Sequence, residues 1–293
     1  MEWKPDWGLR GRMAFTMFLL FALYIVFATL LAVYFGDLLV VVGFMSIFLF
    51  VQFFFSDKIA LYSMGAHVVD EDDGPQAAKL HAMIGRLSQQ ADLPKPKVAI
   101  SDTSVPNAFA TGRSQKSSAV CVTTGLLRTL DDDELEGVLA HELAHVKNRD
   151  VMVMTIASFL SSIAFLIVRW GWFFGGDDNR QNMPVIVAIV ASLVVWIISY
   201  LLIRALSRYR EYSADRGAAI ITGRPSALAS ALLKISGRME NVPKRDMRDT
   251  SEMNAFFIIP IKSDFIGRLF STHPSTDKRV ERLRDMEREM ETV

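Results

Sequence analysis

The stretch His141-Glu142-Leu143-Ala144-His145 places two histidines four residues apart, with a carboxylate beside the first. On an α-helix, residues at this spacing lie one turn apart on nearly the same face, so both imidazoles can reach one tetrahedral metal ion. Glu142 is then free to act on a water molecule bound to that metal. The motif predicts a zinc hydrolase site on a helix, but so short a pattern also arises by chance, and the surrounding sequence must decide.

The residues before the motif predict where its helix begins. Asp131 and Glu134 have the spacing of a capping box, and the acidic residues 131–133 favour the positive end of the helix dipole. Further back, residues 74–90 carry apolar side chains at helical spacing, and residues 97–101 and 119–123 are typical of short strands. A helix and a small sheet are therefore expected before the motif helix.

The composition indicates a membrane protein. Hydrophobic residues make up 51% of the chain and charged residues 22%, and the mean hydropathy is positive. The net charge is zero and no long basic run occurs, which argues against electrostatic binding of nucleic acid. The single cysteine, Cys121, excludes an intrachain disulfide and a thiolate-rich metal site.

Four apolar segments are long enough to cross a bilayer as two hairpins. They cover residues 13–35, 38–55, 151–168 and 184–203. The first is too long for the apolar part of a signal peptide, so a retained anchor is expected. The third segment carries hydroxyl side chains. The alternative for the third and fourth segments is therefore that they are two buried helices of a protein core. No charged residue or histidine lies inside the four segments, which disfavours a transporter.

Basic residues around the spans predict their orientation. One side carries Lys4, Arg10, Arg12, Lys58, Lys147, Arg149, Arg204, Arg208 and Arg210, and the other carries Arg169 and Arg180. Because Lys-rich and Arg-rich loops stay in the cytoplasm, both termini and the motif are expected on that side of the cell membrane. The expected parts are a membrane hairpin (1–55), a cytoplasmic segment (56–150), a second hairpin (151–204) and a second cytoplasmic segment (205–293).

A catalytic zinc site needs a third protein ligand besides the two histidines. Asp150 follows His145 by five residues and is expected to turn toward another helical face. The metzincin continuation does not occur after the motif. His67 and His81 are better explained as surface histidines or as histidines with an internal hydrogen bond.

Glu211 is the best candidate for the third ligand. It lies four residues before Asp215, so both carboxylates share one helical face just beyond the fourth span. His145 lies six residues before the third span and Glu211 eight residues after the fourth, so the hairpin returns the chain to the same surface. Glu211 would bind zinc, and Asp215 would accept a hydrogen bond from the non-metal nitrogen of a ligand histidine. The alternative is two juxtamembrane carboxylates paired with nearby arginines.

The last predicted helix, residues 275–290, is heavily charged. Its charged residues include Asp277, Lys278, Arg279, Glu281, Arg282, Arg284, Asp285 and Glu287. Such a helix is most often a solvated surface with ion pairs between neighbouring turns, so no functional role is predicted for it.

Four groups of residues resemble the HtpX family of membrane zinc endopeptidases, which are relatives of the CAAX prenyl proteases. They are Asn107-Ala108-Phe109-Ala110-Thr111-Gly112, His141 to His145 with Asn148 and Asp150, Glu211-Tyr212-Ser213-Ala214-Asp215, and Thr272-His273-Pro274. The resemblance covers nearly the whole chain. It implies a mainly α integral membrane protein with four transmembrane helices and a cytoplasmic α+β, zincin-like metalloprotease domain built from two chain segments.

The resemblance also implies one Zn²⁺ per chain, held by His141, His145 and Glu211, with Glu142 as the catalytic residue. The implied role is proteolytic quality control, with misfolded or damaged membrane proteins and unfolded polypeptides as substrates. CAAX proteases have more spans than the four counted here, so prenyl-peptide processing is a less favoured alternative. Another is a metal-binding membrane scaffold or pseudoprotease, against which the intact Glu142 argues.

Two further residues have expected roles in binding substrate. Residues 107–112 are expected to form a sheet edge that holds an extended substrate strand, with Asn107 orienting it, and an ordinary turn is the alternative. His273 precedes Pro274 at the start of the last helix. It could donate a hydrogen bond to the oxyanion, although capping or packing would explain it equally well.

Overall fold

The computed structural model describes residues 7–35, 38–170, 182–239 and 274–292. The helices are α1 (Trp7–Phe35), α2 (Leu38–Ser63), α3 (Pro75–Gln90), α4 (Thr124–Thr129), α5 (Asp132–Lys147), α6 (Asp150–Trp170), α7 (Asn182–Thr222), α8 (Pro225–Met239) and α9 (Thr276–Glu291). The strands are β1 (Ala66–Val68), β2 (Lys97–Ser101), β3 (Ala108–Gly112) and β4 (Ser118–Thr123). The fold is therefore mostly helical with a small sheet before the motif helix, as the sequence predicts.

The contacts divide the described residues into two compact units. One unit contains Ser56–Val151 and the described residues of Arg210–Val293, so it is built from two segments of the chain. The other contains the described residues of Pro5–Phe55 and Met152–Tyr209. The histidine motif on α5 and the C-terminal part of α7 both belong to the first unit.

The long apolar helices lie mainly in the second unit. Within the described residues, Trp7–Leu30 and Ile189–Thr222 are long and apolar enough to cross a membrane. A third span is present if the bent pair Ser46–Phe55 and Asp57–Ser63 of α2 is counted as one. Asp150–Ala164 of α6 is a shorter apolar stretch among the described residues. Helices long and apolar enough to span a membrane are thus confirmed for the first and fourth predicted segments, whereas four spans are not confirmed.

Two hydroxyl groups of α6 find hydrogen-bond acceptors on their own helix. Ser158 donates to the carbonyl of Thr155 at 3.3 Å, and Ser162 donates to the carbonyl of Ser158 at 3.1 Å. A hydroxyl bonded back to its own helix leaves no open donor, so these side chains are compatible with an apolar environment. Tyr24 of α1 also donates to the carbonyl of Ala157, which ties α1 to α6.

The sheet of the first unit has the strand order β1-β2-β4-β3. Strands β2 and β4 are parallel, whereas β1 and β3 pair antiparallel with their neighbours and form the two edges. Strand β4 is buried along its whole length, and burial raises the pKa of its Cys121 thiol to about 12. The edge strand β3 contacts the motif helix α5, which places one free sheet edge beside the histidine motif.

Helix α5 begins with the capping box that the sequence predicts. The Asp131 side chain accepts from the backbone N–H of Glu134 at 3.0 Å, and the Glu134 carboxylate accepts from the backbone N–H of Asp131 at 3.1 Å. Lys234 of α8 reaches both carboxylates, at 2.7 Å from Glu134 and 3.2 Å from Asp131. The acidic start of α5 is thus joined to α8 by charge as well as by packing.

Helix α8 also approaches α5 closely at Gly137. A Cβ atom added to Gly137 would lie 2.9 Å from the backbone nitrogen and 3.1 Å from the Cα of Leu228. Gly137→Ala is therefore expected to lower the free energy of unfolding by about 1–3 kcal/mol, because the backbone of α8 would have to move. Thermal and denaturant unfolding of the purified protein would measure this change.

Gly85 on α3 offers a matched control for Gly137. A Cβ atom there would meet only the flexible side chain of Lys95, at 3.8 Å. Because alanine favours helices over glycine, Gly85→Ala is expected to raise stability by up to about 1 kcal/mol. Equal stabilisation by both substitutions would show that the α5–α8 approach imposes no steric requirement at residue 137.

Candidate metal centre

Helices α5 and α7 bring three potential metal ligands together. The Nε2 atoms of His141 and His145 are 3.1 Å apart. The carboxylate oxygens of Glu211 lie 3.6 Å from each of these nitrogens, Oε2 facing His141 and Oε1 facing His145. All three side chains are buried, and their donor atoms lie within 4.8 Å of one another. The structure thus clusters the three residues that the sequence nominates as ligands.

The spacing of these donor atoms fits a tetrahedral zinc site. Zinc bonds of 2.0–2.2 Å at tetrahedral angles separate neighbouring donors by about 3.3–3.6 Å. The two separations of 3.6 Å from Glu211 fall in that range, and the 3.1 Å between the imidazole nitrogens lies slightly below it. Two imidazole nitrogens at 3.1 Å also need a proton or a cation between them, because their lone pairs repel. Two imidazoles and one carboxylate form a donor set that suits zinc.

Each imidazole contacts an aspartate through its other nitrogen. His141 Nδ1 lies 3.0 Å from Asp215 Oδ1, and His145 Nδ1 lies 2.6 Å from Asp150 Oδ2. A carboxylate at Nδ1 favours the tautomer with its proton on that nitrogen, which leaves the Nε2 lone pair directed at the cluster. Asp215 therefore occupies the orienting position that the sequence predicts for it.

Asp150 has the same relation to His145, and the sequence reasoning missed it. Asp150 was expected on another helical face, but α5 ends at Lys147 and the backbone turns at Arg149, whose φ is +56°. This turn brings the first residue of α6 back onto the last histidine of α5. The residue in the left-handed conformation is Arg149 rather than the usual Gly or Asn, so this turn has no clear signal in the sequence.

Two arginines pair with the two aspartates. Arg279 of α9 donates to Asp215 from Nε at 2.9 Å and from Nη2 at 2.6 Å. Arg210 Nε lies 3.1 Å from Asp150 Oδ1. Burial raises the pKa of both aspartates, but the arginine and histidine partners outweigh it and hold each pKa below its usual range. The prediction that the last helix is only a solvated surface is wrong at Arg279, which is buried.

The remaining charges favour a divalent cation. Pairing of Asp150 with Arg210 and of Asp215 with Arg279 leaves Glu142 and Glu211 as two further buried carboxylates. Burial lowers the pKa of His141, but hydrogen bonds to Asp215 and Glu211 outweigh that effect and raise it to about 9. The neighbouring carboxylates therefore favour positive charge at the His141 imidazole.

Glu142 lies beside the three ligands but is held by the sheet. Its Oε2 accepts a hydrogen bond of 2.8 Å from the backbone N–H of Ala110 on the edge strand β3. Burial raises the pKa of Glu142 most strongly, and the nearby Glu211 charge raises it further, while both histidines and the Ala110 N–H oppose the rise. A buried carboxylate with a raised pKa beside a candidate metal centre suits general acid–base chemistry.

Of the two remaining candidate residues, Asn107 is not part of the ligand cluster. Asn107 is fully buried at the start of β3, where its backbone N–H donates to Thr123 Oγ1 at 2.8 Å and its carbonyl accepts from the Thr123 N–H at 2.9 Å. It is followed by an edge strand, which is the element expected there. His273 falls outside the described residues.

Comparison with known proteins identifies the family. The sequence profile of Peptidase family M48 matches residues 75–287. Protease HtpX homolog 2 of Methanosarcina mazei is 55% identical over 293 residues, with 99% of each chain covered. A Protease HtpX homolog of Moorella thermoacetica is 52% identical over 292 residues, covering 98% of this chain and 97% of the relative.

The fold is also similar to that of a solved structure. The crystal structure of S. mikatae Ste24p superposes with a TM-score of 0.56 at 20% sequence identity. The similarity covers 89% of this chain and 62% of that chain. The profile match and the near full-length identity to HtpX proteins agree with the resemblance of the sequence motifs. The chain therefore belongs to Peptidase family M48 and, within it, to the HtpX family of proteases.

Proposed function

We propose that the protein is a zinc-dependent membrane endopeptidase with one Zn²⁺ per chain. The convergence of His141, His145 and Glu211 at zinc-like separations, with Glu142 beside them, is the observation that carries the proposal. When bound, zinc polarises the scissile carbonyl and lowers the pKa of a coordinated water toward about 7. An intact catalytic carboxylate favours this function over a metal-binding scaffold or pseudoprotease.

Glu142 is the general base and acid of the proposed reaction. The Ala110 N–H occupies its Oε2, so Oε1 is the atom that takes the proton of the attacking water. Its raised pKa allows the protonated carboxyl to persist long enough to pass that proton to the leaving amine. Asp215 and Asp150 accept hydrogen bonds from the Nδ1–H groups of His141 and His145, so both imidazoles present their Nε2 atoms to the site.

The edge strand β3 is the proposed binding surface for an extended substrate. Ala110 directs its N–H away from β4 and toward Glu142, so a peptide lying along this edge would pass the catalytic carboxylate. Asn107 at the start of β3 would orient that peptide. Backbone pairing is independent of side-chain identity, which suits the misfolded or damaged membrane proteins proposed as substrates.

The proposed membrane arrangement has four spans, with the metal centre and both termini on the cytoplasmic side of the cell membrane. The two long apolar helices, the bent apolar pair of α2 and the shorter apolar part of α6 support it. The distribution of basic residues around these segments supports the orientation. Residues 56–150 and 205–293 would then form the protease domain, between and after the hairpins 1–55 and 151–204.

Removal and replacement of zinc test the proposed function. The protein purified in detergent without chelator is expected to contain about one zinc per chain, given a single three-ligand site. A chelator should abolish cleavage of an unfolded polypeptide, and zinc added back in stoichiometric amount should restore it. Metal analysis and the rate of substrate cleavage, followed in the same samples, measure both effects.

His67 supplies a control for adventitious zinc, because it lies on β1 at the opposite sheet edge from β3. His67→Ala is expected to keep the zinc content and the cleavage rate of the unaltered protein. Stable zinc binding without hydrolysis of any polypeptide would support the scaffold or pseudoprotease instead. Cleavage confined to prenylated peptides would support CAAX-type processing.

A further inference from the structure

Arg279 is a fully buried arginine that joins the C-terminal helix to the metal centre. Its relative exposure is 1%, and it lies 138 residues beyond His141 in the chain. A buried guanidinium is unfavourable unless its charge and its donors are paired, so its partners indicate why it is there. All of its partners described below belong to the candidate metal centre.

The guanidinium of Arg279 bridges two carboxylates of α7. Nε and Nη2 bind the two oxygens of Asp215 at 2.9 and 2.6 Å, which is a bidentate contact. Nη1 lies 3.4 Å from Oε2 of Glu211, the oxygen that faces His141. Two buried carboxylates one helical turn apart repel each other, and the guanidinium that contacts both offsets this repulsion.

The rest of α9 holds Arg279 in register with α7. Arg282, one turn further along α9, places its guanidinium carbon 4.3 Å from the centre of the Tyr212 ring. Val280 and Leu283 of α9 are buried in the core of the same unit. The helix is therefore seated by apolar packing and by two arginine contacts, so the guanidinium of Arg279 has a defined place.

We propose that Arg279 is a positioning residue of the metal centre that acts mainly through Asp215, its nearest partner. Its planar fork holds both oxygens of Asp215, and Asp215 in turn holds Nδ1 of His141 at 3.0 Å, so that Nε2 faces the metal position. The inference rests on the proposed zinc site. It gives the C-terminal helix the role of positioning one zinc ligand. A lysine would supply the positive charge but not the planar pair of donors, so Arg279→Lys separates the effect of charge from that of bidentate geometry.

Zinc affinity of the full-length protein tests this proposal without relying on activity. Competition with a zinc chelator is expected to give about 10-fold to 100-fold weaker binding for Arg279→Gln, as for loss of other partners of ligand histidines. Arg279→Lys should recover part of that loss. Cobalt substituted for zinc should show a changed visible absorption spectrum in Arg279→Gln, because the orientation of one imidazole is no longer fixed.

A double-substitution cycle separates positioning from a purely structural role. Asp215→Asn alone should weaken zinc binding, and adding Arg279→Gln to it should cause a smaller loss than Arg279→Gln causes alone, because the arginine acts mainly through that carboxylate. The double variant also avoids leaving the buried Asp215 carboxylate without its arginine, so it remains measurable if Arg279→Gln folds poorly. Arg288→Gln is the matched control, since Arg288 is on the same helix with 74% of its side chain exposed.

The outcomes distinguish this proposal from the proposed function. If the unaltered protein binds zinc and cleaves substrate while Arg279→Gln keeps its affinity and cobalt spectrum, the role of Arg279 is refuted and the function stands. Additive losses in the cycle would also refute action through Asp215. Failure of the unaltered protein to bind zinc would remove the proposed function, and with it this inference.

Discussion

Replacement of Glu142 by glutamine is expected to slow peptide hydrolysis by about 100-fold to 10,000-fold while zinc stays bound. Glutamine has nearly the same shape and can still accept the N–H of Ala110, which Glu142 binds at 2.8 Å. It cannot take a proton from water or pass one to the leaving amine. The initial rate of cleavage of an unfolded membrane protein, compared at equal zinc content, measures the loss.

Glu142→Asp provides a control that retains the carboxylate but moves it back by one methylene group. A displacement of about 1 Å at a catalytic group can reduce the rate about 100-fold, so an intermediate activity is expected. Zinc content should be equal in all three proteins, because Glu142 is outside the cluster of His141, His145 and Glu211. A glutamine variant that keeps a tenth or more of the activity would rule out Glu142 as the general base.

The elements that follow local rules were predictable from the sequence. The capping box of Asp131 and Glu134 depends only on residues three apart, and the helical spacing of His141 and His145 depends on a single turn. Glu211 required one further step, because two apolar segments separate it from the motif and return the chain toward it. Glu211 is far from the motif in sequence, but the order of the apolar segments predicts that it lies near the motif in space.

The partners of the ligands were harder to predict because they depend on one dihedral angle and one distant helix. Asp150 reaches His145 because Arg149 adopts a φ of +56°, which breaks the helical extrapolation used to place it. Arg279 is one of many charged residues on α9, and no periodicity distinguishes the one that faces α7. Ion pairs between elements far apart in sequence carry little local signal.

The count of membrane spans shows a different limit of sequence reasoning. Uninterrupted apolar length identifies α1 and the apolar part of α7 clearly. The second predicted segment ends at residue 55, and there α2 bends by 51° between Ser46–Phe55 and Asp57–Ser63. Hydropathy reports how apolar a segment is, whereas bends depend on local packing and backbone geometry.

Replacement of Glu211 by alanine is expected to weaken zinc binding more than loss of Asp215 or Arg279 does, by at least about 100-fold. Glu211 supplies one of three ligands, with carboxylate oxygens 3.6 Å from both imidazole nitrogens. Its removal leaves two protein ligands. Water would have to take the place of the third ligand, and the arrangement needed for catalysis would be lost. Chelator competition and metal analysis measure the affinity, and cleavage should fall to the level of the chelator-treated protein.

Glu136 is the matched control, because it is as buried as Glu211, with 5% exposure for each, and lies on the motif helix α5. Its partners are Arg86 at 2.7 Å and Arg224 at 3.3 Å, outside the metal centre. Glu136→Ala should therefore reduce stability, because two arginines lose a buried partner, but leave zinc affinity unchanged. Equal effects of the two substitutions on zinc affinity would mean that Glu211 acts only through folding, and the third ligand would have to be sought elsewhere.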